Sequence, residues 1–246
     1  MRKTLGLVIK KQNYGETDRI ITVFSPDLGK KRIIAKAIRR PTSKLAGHLD
    51  TFMLSQLMLT DSEDLPRVTS AVLAEPFEEI RINLQNTERA FAITKVIERI
   101  ILEDVSQRAI FQITLDALAR LNSGQPWGAI WVFFLSELAG ELGLGPGDFA
   151  CQVCRAKLVG GGFWHFEDRQ FVCQGCLKEA IHGIFLQENS VKLLQLLRKN
   201  QFMNITRVQI PPLNARQVEE LLLREITQWF NKPWSAYSSL AENGGR

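Results

Sequence analysis

The stretch TLGLVIKKQNYGETDRIITVFSPDLGKKRIIAKA, residues 4–37, decides the fold of the N-terminal part of the chain. It predicts three β-strands, Thr4–Lys11, Arg19–Ser25 and Lys31–Ala37, because apolar residues alternate or β-branched and aromatic residues cluster there. Asn13–Gly15 marks a turn between the first two strands, and Pro, Asp and Gly within Ser25–Lys30 suit a hairpin loop. The stretch therefore predicts consecutive strands joined by short turns.

Two further segments complete a five-strand pattern. Arg67–Glu75 predicts a strand, and Asp50–Thr60 fits either a strand or a helix by its pattern alone. Five short strands before Pro76 suit a small barrel such as an OB-fold, whose open face and loops often bind oligonucleotides.

After Pro76 the apolar spacing changes to three and four residues, which predicts helices. Ser106 is the expected N-cap of one of them. The predicted helical segments are Asn86–Val105, Ser106–Gly124, Pro126–Gly143, Glu188–Asn200 and Asn214–Phe230. The predicted fold class is α+β: an N-terminal OB-fold β-barrel over residues 1–80, then an α-helical domain over residues 81–246. A four-cysteine zinc finger, residues 150–177, is inserted in the helical domain.

Charge is distributed unevenly along the chain. Residues 1–50 hold 12 Lys or Arg against 4 Asp or Glu, whereas the other 196 residues hold 19 against 22. Such asymmetry is typical of nucleic-acid binding and less often of binding to anionic membranes. No apolar run is long enough to span a membrane, and the N-terminal apolar run is too short for a signal peptide. We therefore expect a cytoplasmic, reduced protein.

The stretch CQVCRAKLVGGGFWHFEDRQFVCQGC, residues 151–176, contains every cysteine of the chain. Two CxxC pairs at this spacing predict a zinc site, with Cys151, Cys154, Cys173 and Cys176 as ligands, and a reduced compartment favours metal over disulfides. Four protein ligands close the site, which makes a structural metal the expectation. The metal would hold a hairpin, turning near Glu167–Arg169, that is too small to build its own core. His165 could replace one cysteine, and iron would accept the same four ligands.

Signals for catalysis are weak. The chain has no GxxxxGK[ST], GxGxxG, HExxH or GxSxG motif. The turn YGETDR, residues 14–19, fits a salt-bridged turn better than a pair of catalytic carboxylates. The aromatic side chains of Pro126–Gly143 fit a helix-bundle core better than a platform for stacking bases. We therefore expect a binding protein and not an enzyme.

Basic residues are the expected working surface. They cluster on the predicted strands and on the loop IRRPTSK, residues 38–44, where a groove could neutralise several phosphates without reading bases. The candidate DNA-binding residues are Lys10, Lys11, Arg19, Lys30, Lys31, Arg32, Lys36, Arg39, Arg40 and Lys44.

The chain resembles the RecO family of bacterial recombination mediators. The resemblance rests on KKQNYGETDRIITVFSPDLGKKRIIAKAIRRPTSK, residues 10–44, and on ELAGELGLGPGDFACQVC, residues 137–154. Family members carry a similar Tyr-or-Trp, Glu and Arg turn, a Gly-basic turn, and a Leu-Gly-x-x-Pro approach to the first cysteine pair. Two positions depart from the pattern: Ala37 and Arg155 stand where the family usually has Gly.

The resemblance implies a non-enzymatic protein of recombinational DNA repair. Such a protein binds single- and double-stranded DNA, anneals complementary strands, and with RecR and often RecF helps RecA replace the single-stranded DNA-binding protein, SSB, at gaps. It implies one structural Zn²⁺, a cytoplasmic, nucleoid-associated location, and no membrane or small-molecule substrate. Two alternatives from other classes remain: an RNA-binding protein stabilised by zinc, and a zinc-dependent nuclease or deaminase, which would need an open metal site.

Overall fold

The computed structural model describes residues 1–62, 65–177, 182–199 and 202–230. By packing, the chain divides into two compact units, Met1–Gln125 and a second that begins at Pro126. The proposed domain boundary after residue 80 stays a prediction. In the described residues, no helix is long and apolar enough to cross a membrane.

The first unit is built on a five-stranded antiparallel sheet. Its strand order is β3-β2-β1-β4-β5. The strands are β1 (Arg2–Tyr14), β2 (Asp18–Ser25), β3 (Gly29–Ala35), β4 (Leu54–Leu59) and β5 (Val68–Glu75). The edges of the sheet meet at one parallel bridge between Ile34 and Arg67, where the Ile34 N–H donates to the Pro66 carbonyl at 2.9 Å. The sheet fits an OB-fold, and complete barrel closure stays a prediction.

Both faces of this sheet carry buried apolar residues, which explains why helices pack on it. One face carries the enclosed core, which includes Val8, Ile21 and Ile33, all fully buried. On the other face Leu7 pairs with Phe24 across β1 and β2, and both are fully buried. Phe24 contacts Phe111 edge to face, with ring centroids 5.2 Å apart. Helices α1 (Glu78–Ile82), α2 (Leu84–Ile100) and α3 (Arg108–Asn122) therefore belong to the same unit as the sheet.

The turn between β2 and β3 requires a glycine. Gly29 has a φ of +59°, and a Cβ there would lie 2.4 Å from the carbonyl oxygens of Leu102 and Val105. The Lys30 N–H donates to the Leu102 carbonyl at 2.9 Å. The Gly-basic turn thus attaches the start of β3 to the loop between α2 and α3.

In the N-terminal half the structure settles one open choice from the sequence and contradicts one prediction. Asp50–Thr60 forms a strand, β4, over part of its length. Ser106 is not an N-cap: α3 begins at Arg108 after Gln107, and the Ser106 hydroxyl donates to the Pro26 carbonyl at 2.9 Å. A tertiary contact with the β2–β3 turn thus replaces the local cap.

The second unit combines helices with a small sheet. Its helices are α4 (Trp127–Glu141), α5 (Glu188–Leu197), α6 (Phe202–Thr206) and α7 (Pro212–Trp229), and its strands are β6 (Gly162–His165), β7 (Gln170–Val172) and β8 (Gly183–Leu186). The three strands form an antiparallel sheet in the order β7-β6-β8. The predicted hairpin near Glu167–Arg169 is confirmed. Trp131 and Phe134 of α4 are buried, as a helix-bundle core requires.

The predicted fold class is confirmed: an OB-like antiparallel sheet precedes the helices, and a cysteine cluster lies within the helical part. Asn200, the predicted end of α5, lies outside the described residues.

Candidate nucleic-acid interface and four-cysteine cluster

The structure brings the four cysteines together. Their Sγ atoms all lie within 4.8 Å of one another, and those of Cys154 and Cys173 are 3.8 Å apart. None of the four is in a disulfide. Four thiolates at a Zn–S distance of about 2.3 Å in a tetrahedron place their sulfurs about 3.8 Å apart. The cluster is therefore close enough to hold a metal ion, and its donor set is compatible with zinc.

Backbone hydrogen bonds shape the two CxxC turns and connect them. The Arg155 N–H donates to the Cys151 carbonyl at 2.8 Å, and the Cys176 N–H donates to the Cys173 carbonyl at 3.1 Å. The Gln152 N–H donates to the Phe171 carbonyl of β7 at 2.8 Å, which fixes the first turn against the strand that leads into the second. The hairpin thus sets the distance between the two pairs.

The local environment separates the pKa values of two of these thiols. Burial alone would raise the pKa of Cys151, but N–H groups of Cys154, Cys173 and Val153 hydrogen-bond its sulfur and lower the pKa to about 6. Hydrogen bonds with Cys154 and Cys173 raise the pKa of Cys176 to about 12. N–H donors directed at a sulfur are the arrangement that a metal-bound thiolate needs.

The β6–β7 hairpin between the two CxxC pairs, here called the cysteine hairpin, has an apolar core of its own. The sequence had predicted that it would be too small to build one. Trp164 and Phe171 are fully buried and contact each other edge to face at 5.0 Å between ring centroids. The Trp164 Nε1–H donates to Glu225 Oε1 of α7 at 2.8 Å, and Arg169 Nε lies 3.0 Å from Glu225 Oε2. The buried carboxylate of Glu225 thus anchors the hairpin to α7. No local sequence signal connects it to residues about 60 positions earlier.

His165 belongs to a different interaction. Its Nδ1 lies 2.7 Å from Asp168 Oδ2, within the hairpin turn. In the described part of the chain, the group of potential metal ligands consists of the four cysteines alone. The alternative in which His165 replaces a cysteine has no support here.

The structure places three of the ten candidate cations on the outer face of the sheet, which is the face that carries Phe24. Lys10 of β1, Thr22 of β2 and Arg32 of β3 lie in one row across the strands, and Lys30 lies one pleat away. These cations line a groove of about 290 Å³ whose other side includes Glu98 and Glu103.

Six more candidates lie at one end of the sheet, where β1 turns into β2 and β3 leads into the following loop. They are Lys11, Arg19, Lys36, Arg39, Arg40 and Lys44. Arg19 Nε donates to Asn13 Oδ1 at 3.2 Å across the hairpin. The Arg39 N–H donates to the Thr17 carbonyl at 2.9 Å, so the loop is attached to the tip of the hairpin.

Lys31 lies apart from the other nine. It follows the start of β3, its side chain is 11% exposed, and its Nζ lies 2.7 Å from Asp104 Oδ1. It lines a separate cavity of about 530 Å³ together with Arg2 and Asp61. The ten candidates thus do not form one surface, and a DNA-binding role for each stays a prediction.

Carboxylates contact five of the candidate cations. The pairs are Lys10–Glu98 at 3.4 Å, Lys11–Asp50, Lys30–Glu103 at 3.9 Å, Lys31–Asp104 at 2.7 Å and Lys36–Asp18 at 2.8 Å. Hydrogen bonds from the Lys36 side chain and the Ala37 N–H lower the pKa of Asp18. Burial, then the charges of Arg19 and Arg81, lower the pKa of Lys11. The side chains of Lys10 and Lys36 are the most exposed of the five, and exposed ion pairs contribute about 0–1 kcal/mol, so phosphate can compete for these two cations.

Arg32, Arg40 and Lys44 are exposed, and in residues 1–62, 65–177, 182–199 and 202–230 their side chains have no hydrogen bond or ion pair. Arg39 has only a 3.5 Å contact from its Nη1 to the Gly15 carbonyl. These four residues are the cations most available to a ligand.

Comparison with known proteins assigns a family to this architecture. A family model described as recombination protein O N terminal matches residues 1–77, and one described as recombination protein O C terminal matches residues 83–231. The chain belongs to the RecO family. The family predicted from the sequence is confirmed, and membership makes this a DNA repair protein of the recombination pathway.

Relatives named DNA repair protein RecO align over most of the chain. The protein from Dehalococcoides mccartyi BAV1 is 30% identical over 85% of this chain and 82% of its own length. The protein from Acetivibrio thermocellus is 29% identical over 82% of this chain and 81% of its own length. The protein from Exiguobacterium sp. AT1b is 26% identical over 98% of this chain and 92% of its own length. The similarity to RecO proteins thus includes both units.

Both departures from the RecO sequence pattern have the backbone of a glycine. Ala37 has a φ of 52° and Arg155 a φ of 60°, in the left-handed region that favours Gly. The Ala37 N–H donates to Asp18 Oδ1 at 2.7 Å, and the Arg155 N–H closes the first CxxC turn. Both residues therefore adopt a backbone geometry that favours Gly, the residue that the resemblance predicts at these positions.

Proposed function

We propose that this RecO-family protein is a non-enzymatic recombination mediator that binds single- and double-stranded DNA and anneals complementary strands. In this proposal it acts in the cytoplasm, associated with the nucleoid, and works with RecR and RecF to load RecA at gaps coated with SSB. The single observation that carries the DNA-binding part is the group of exposed cations around the β1–β2 hairpin and the loop after β3.

These cations are arranged for phosphates and not for base edges. Arg39, Arg40 and Lys44 lie on a loop, and Lys10 and Arg32 line the groove on the outer face of an OB-like sheet. Guanidinium and ammonium groups at such positions bind the backbone of any sequence and release counterions from it. Sequence-tolerant binding is what a mediator needs, since it acts wherever a gap occurs.

Annealing follows from the same electrostatics. Two complementary strands repel each other through their phosphates, and a protein that neutralises part of this charge lowers the barrier to their encounter. No covalent step is required, so the proposal assigns no catalytic residue.

The cysteine cluster has a structural role in this proposal. Cys151, Cys154, Cys173 and Cys176 would hold one Zn²⁺ with four protein ligands, which supplies fixed geometry and leaves no position for a substrate. The N–H donors directed at Cys151 and the anchored hairpin support this assignment.

Replacing Arg39 and Arg40 together with Ala tests the interface. Each lost phosphate contact to a single strand should reduce the slope of log affinity against log salt by about 0.7, so the double variant should lose about 1 to 1.5 from the slope. Affinity should fall for every DNA sequence. The measurement is fluorescence anisotropy with labelled single-stranded and duplex DNA over a salt series.

The matched control removes the same charge elsewhere. Lys199 and Arg207 are exposed cations of the second unit, and replacing both with Ala should leave the slope unchanged. An unchanged slope in the Arg39/Arg40 variant would remove these residues from the interface. A strong preference for RNA over DNA of the same sequence would instead favour an RNA-binding protein.

A further inference from the structure

The contacts of Tyr14 reveal no role for its side chain in the fold of the first unit. It ends β1, and its side chain is 50% exposed. In the described residues its ring contacts no other aromatic ring and its hydroxyl makes no hydrogen bond. The other aromatic side chains of residues 1–125 are placed differently: Phe24, Phe52, Phe77 and Phe111 are buried, and Phe91 packs on Phe52 at 4.8 Å. Tyr14 is thus the most exposed and least packed aromatic ring of this unit.

Two arginines contact the residues next to Tyr14 in the sequence, although the Asn13–Arg19 pair lies on the other face of β1 and β2. Arg19 Nε donates to Asn13 Oδ1 at 3.2 Å, one residue before Tyr14, and Arg39 Nη1 contacts the carbonyl of Gly15, one residue after it. Asp18, which pairs with Tyr14 in the strand register, is already engaged by Lys36 at 2.8 Å. An exposed aromatic ring on a surface that also carries cations can stack on a nucleobase while the cations neutralise its phosphate.

Tyr14 also continues the outer-face groove. Side chains two apart on a strand share a face, so Lys10, Gln12 and Tyr14 lie in one line along β1. Lys10 and Gln12 line the groove of about 290 Å³ with Arg32. Tyr14 lies about 13 Å beyond Lys10, at the rise of a β-strand. A single strand that follows this line would contact cations first and the ring at the end.

We infer that Tyr14 is a stacking residue for an unpaired nucleobase and gives this surface its preference for single-stranded over double-stranded nucleic acid. The inference rests on the proposed DNA-binding function. Duplex bases are stacked on each other and cannot offer a face to the ring, whereas single-strand bases can. The cations supply affinity for both forms, and Tyr14 distinguishes between them.

Replacing Tyr14 with Ala tests this role in the full-length protein. Affinity is measured by anisotropy for a labelled oligothymidylate, for an abasic oligonucleotide of the same length, and for a duplex. Tyr14→Ala should weaken binding to oligothymidylate by about fivefold to a hundredfold, and it should leave the other two affinities within about twofold. Because no charge is lost, the salt slope should stay that of the wild type. Tyr14→Phe should bind like the wild type, because it keeps the ring.

The control is Val72→Ala, which truncates another exposed apolar side chain, on β5. It should leave all three affinities unchanged, and the three variants should unfold at the wild-type temperature. If the wild type binds DNA and Tyr14→Ala binds oligothymidylate equally well, the inference is overturned and the proposed function stands. Equal losses for oligothymidylate, abasic oligonucleotide and duplex would also overturn it. A wild type that binds none of the three would overturn the proposed function, and this inference with it.

Discussion

Ala37 shows how a single backbone angle constrains the loop that carries the proposed DNA-binding cations. Its φ of 52° is held by the hydrogen bond from its N–H to Asp18 Oδ1, and the loop with Arg39 and Arg40 follows directly. A side chain in this region costs about 1–2 kcal/mol, whereas Gly adopts it freely. The resemblance to the family points to the position, but the angle itself is visible only in the structure.

Replacing Ala37 with Gly should therefore stabilise the protein. Gly removes the strain of the left-handed backbone at this position, but its greater freedom in the unfolded chain costs about 0.5–1 kcal/mol. We therefore expect the free energy of unfolding to rise by up to about 1 kcal/mol. Urea unfolding of the two proteins measures the difference. Ala35→Gly, at a buried position within β3, is the control and should lower stability by a similar amount or more. Equal losses in both variants would mean that Ala37 is not strained.

Single residues also show which contacts a sequence reveals. The spacing of the cysteines predicts that they converge, because two CxxC turns bring four thiolates to one point. The partners Glu98, Glu103 and Asp104 of the basic strands could not be predicted, since they lie about 70 to 90 positions from their cations and meet them only where α2 and the α2–α3 loop approach the sheet. Glu225, which anchors the cysteine hairpin, was missed for the same reason.

At the scale of elements, strands with a clear residue pattern were predictable. A helix start whose expected capping residue bonds to a distant part of the chain was not. β2 follows its predicted segment within about one residue because it is rich in β-branched and aromatic residues, and β5 does so as well. Asp50–Thr60 was ambiguous until its pairing with β1 made it a strand. Ser106 was wrongly predicted as an N-cap because the carbonyl of Pro26, distant in sequence, accepts its hydroxyl instead.

The cysteine hairpin is the element whose stability should depend on metal. Cys173→Ser should reduce the bound metal to well below one ion per chain and lower the free energy of unfolding by about 2 kcal/mol or more, since binding energy at a structural site is folding energy. Metal analysis of the purified protein and thermal unfolding measure the two effects. The same analysis identifies the metal, with zinc expected and iron as the alternative.

The neighbouring Gln174→Ser variant is the control, because Gln174 is exposed in the same turn and offers no thiolate. It should keep both the metal and the stability. A Cys173→Ser protein that loses the metal but unfolds at the wild-type temperature would show that the metal does not stabilise the hairpin, which could then rely on its Trp164–Phe171 core.

For the whole molecule, the charge asymmetry of the sequence corresponds to the placement of cations on the first unit. Nine of the ten candidates lie on the outer face or at one end of its sheet, and Lys31 is the exception. Their grouping could be predicted because the cations are close in sequence on adjacent strands. Three of their carboxylate pairs could not, since Glu98, Glu103 and Asp104 lie in α2 and in the loop that follows it.

The central claim is that this surface brings complementary DNA strands together without covalent chemistry. The most direct test is the rate of annealing of complementary single strands coated with their cognate single-stranded DNA-binding protein, with and without this protein, over a salt series. We predict a strong acceleration at low salt that declines steeply as salt rises, because phosphate neutralisation drives it. An annealing rate that the protein does not change at low salt would contradict the account.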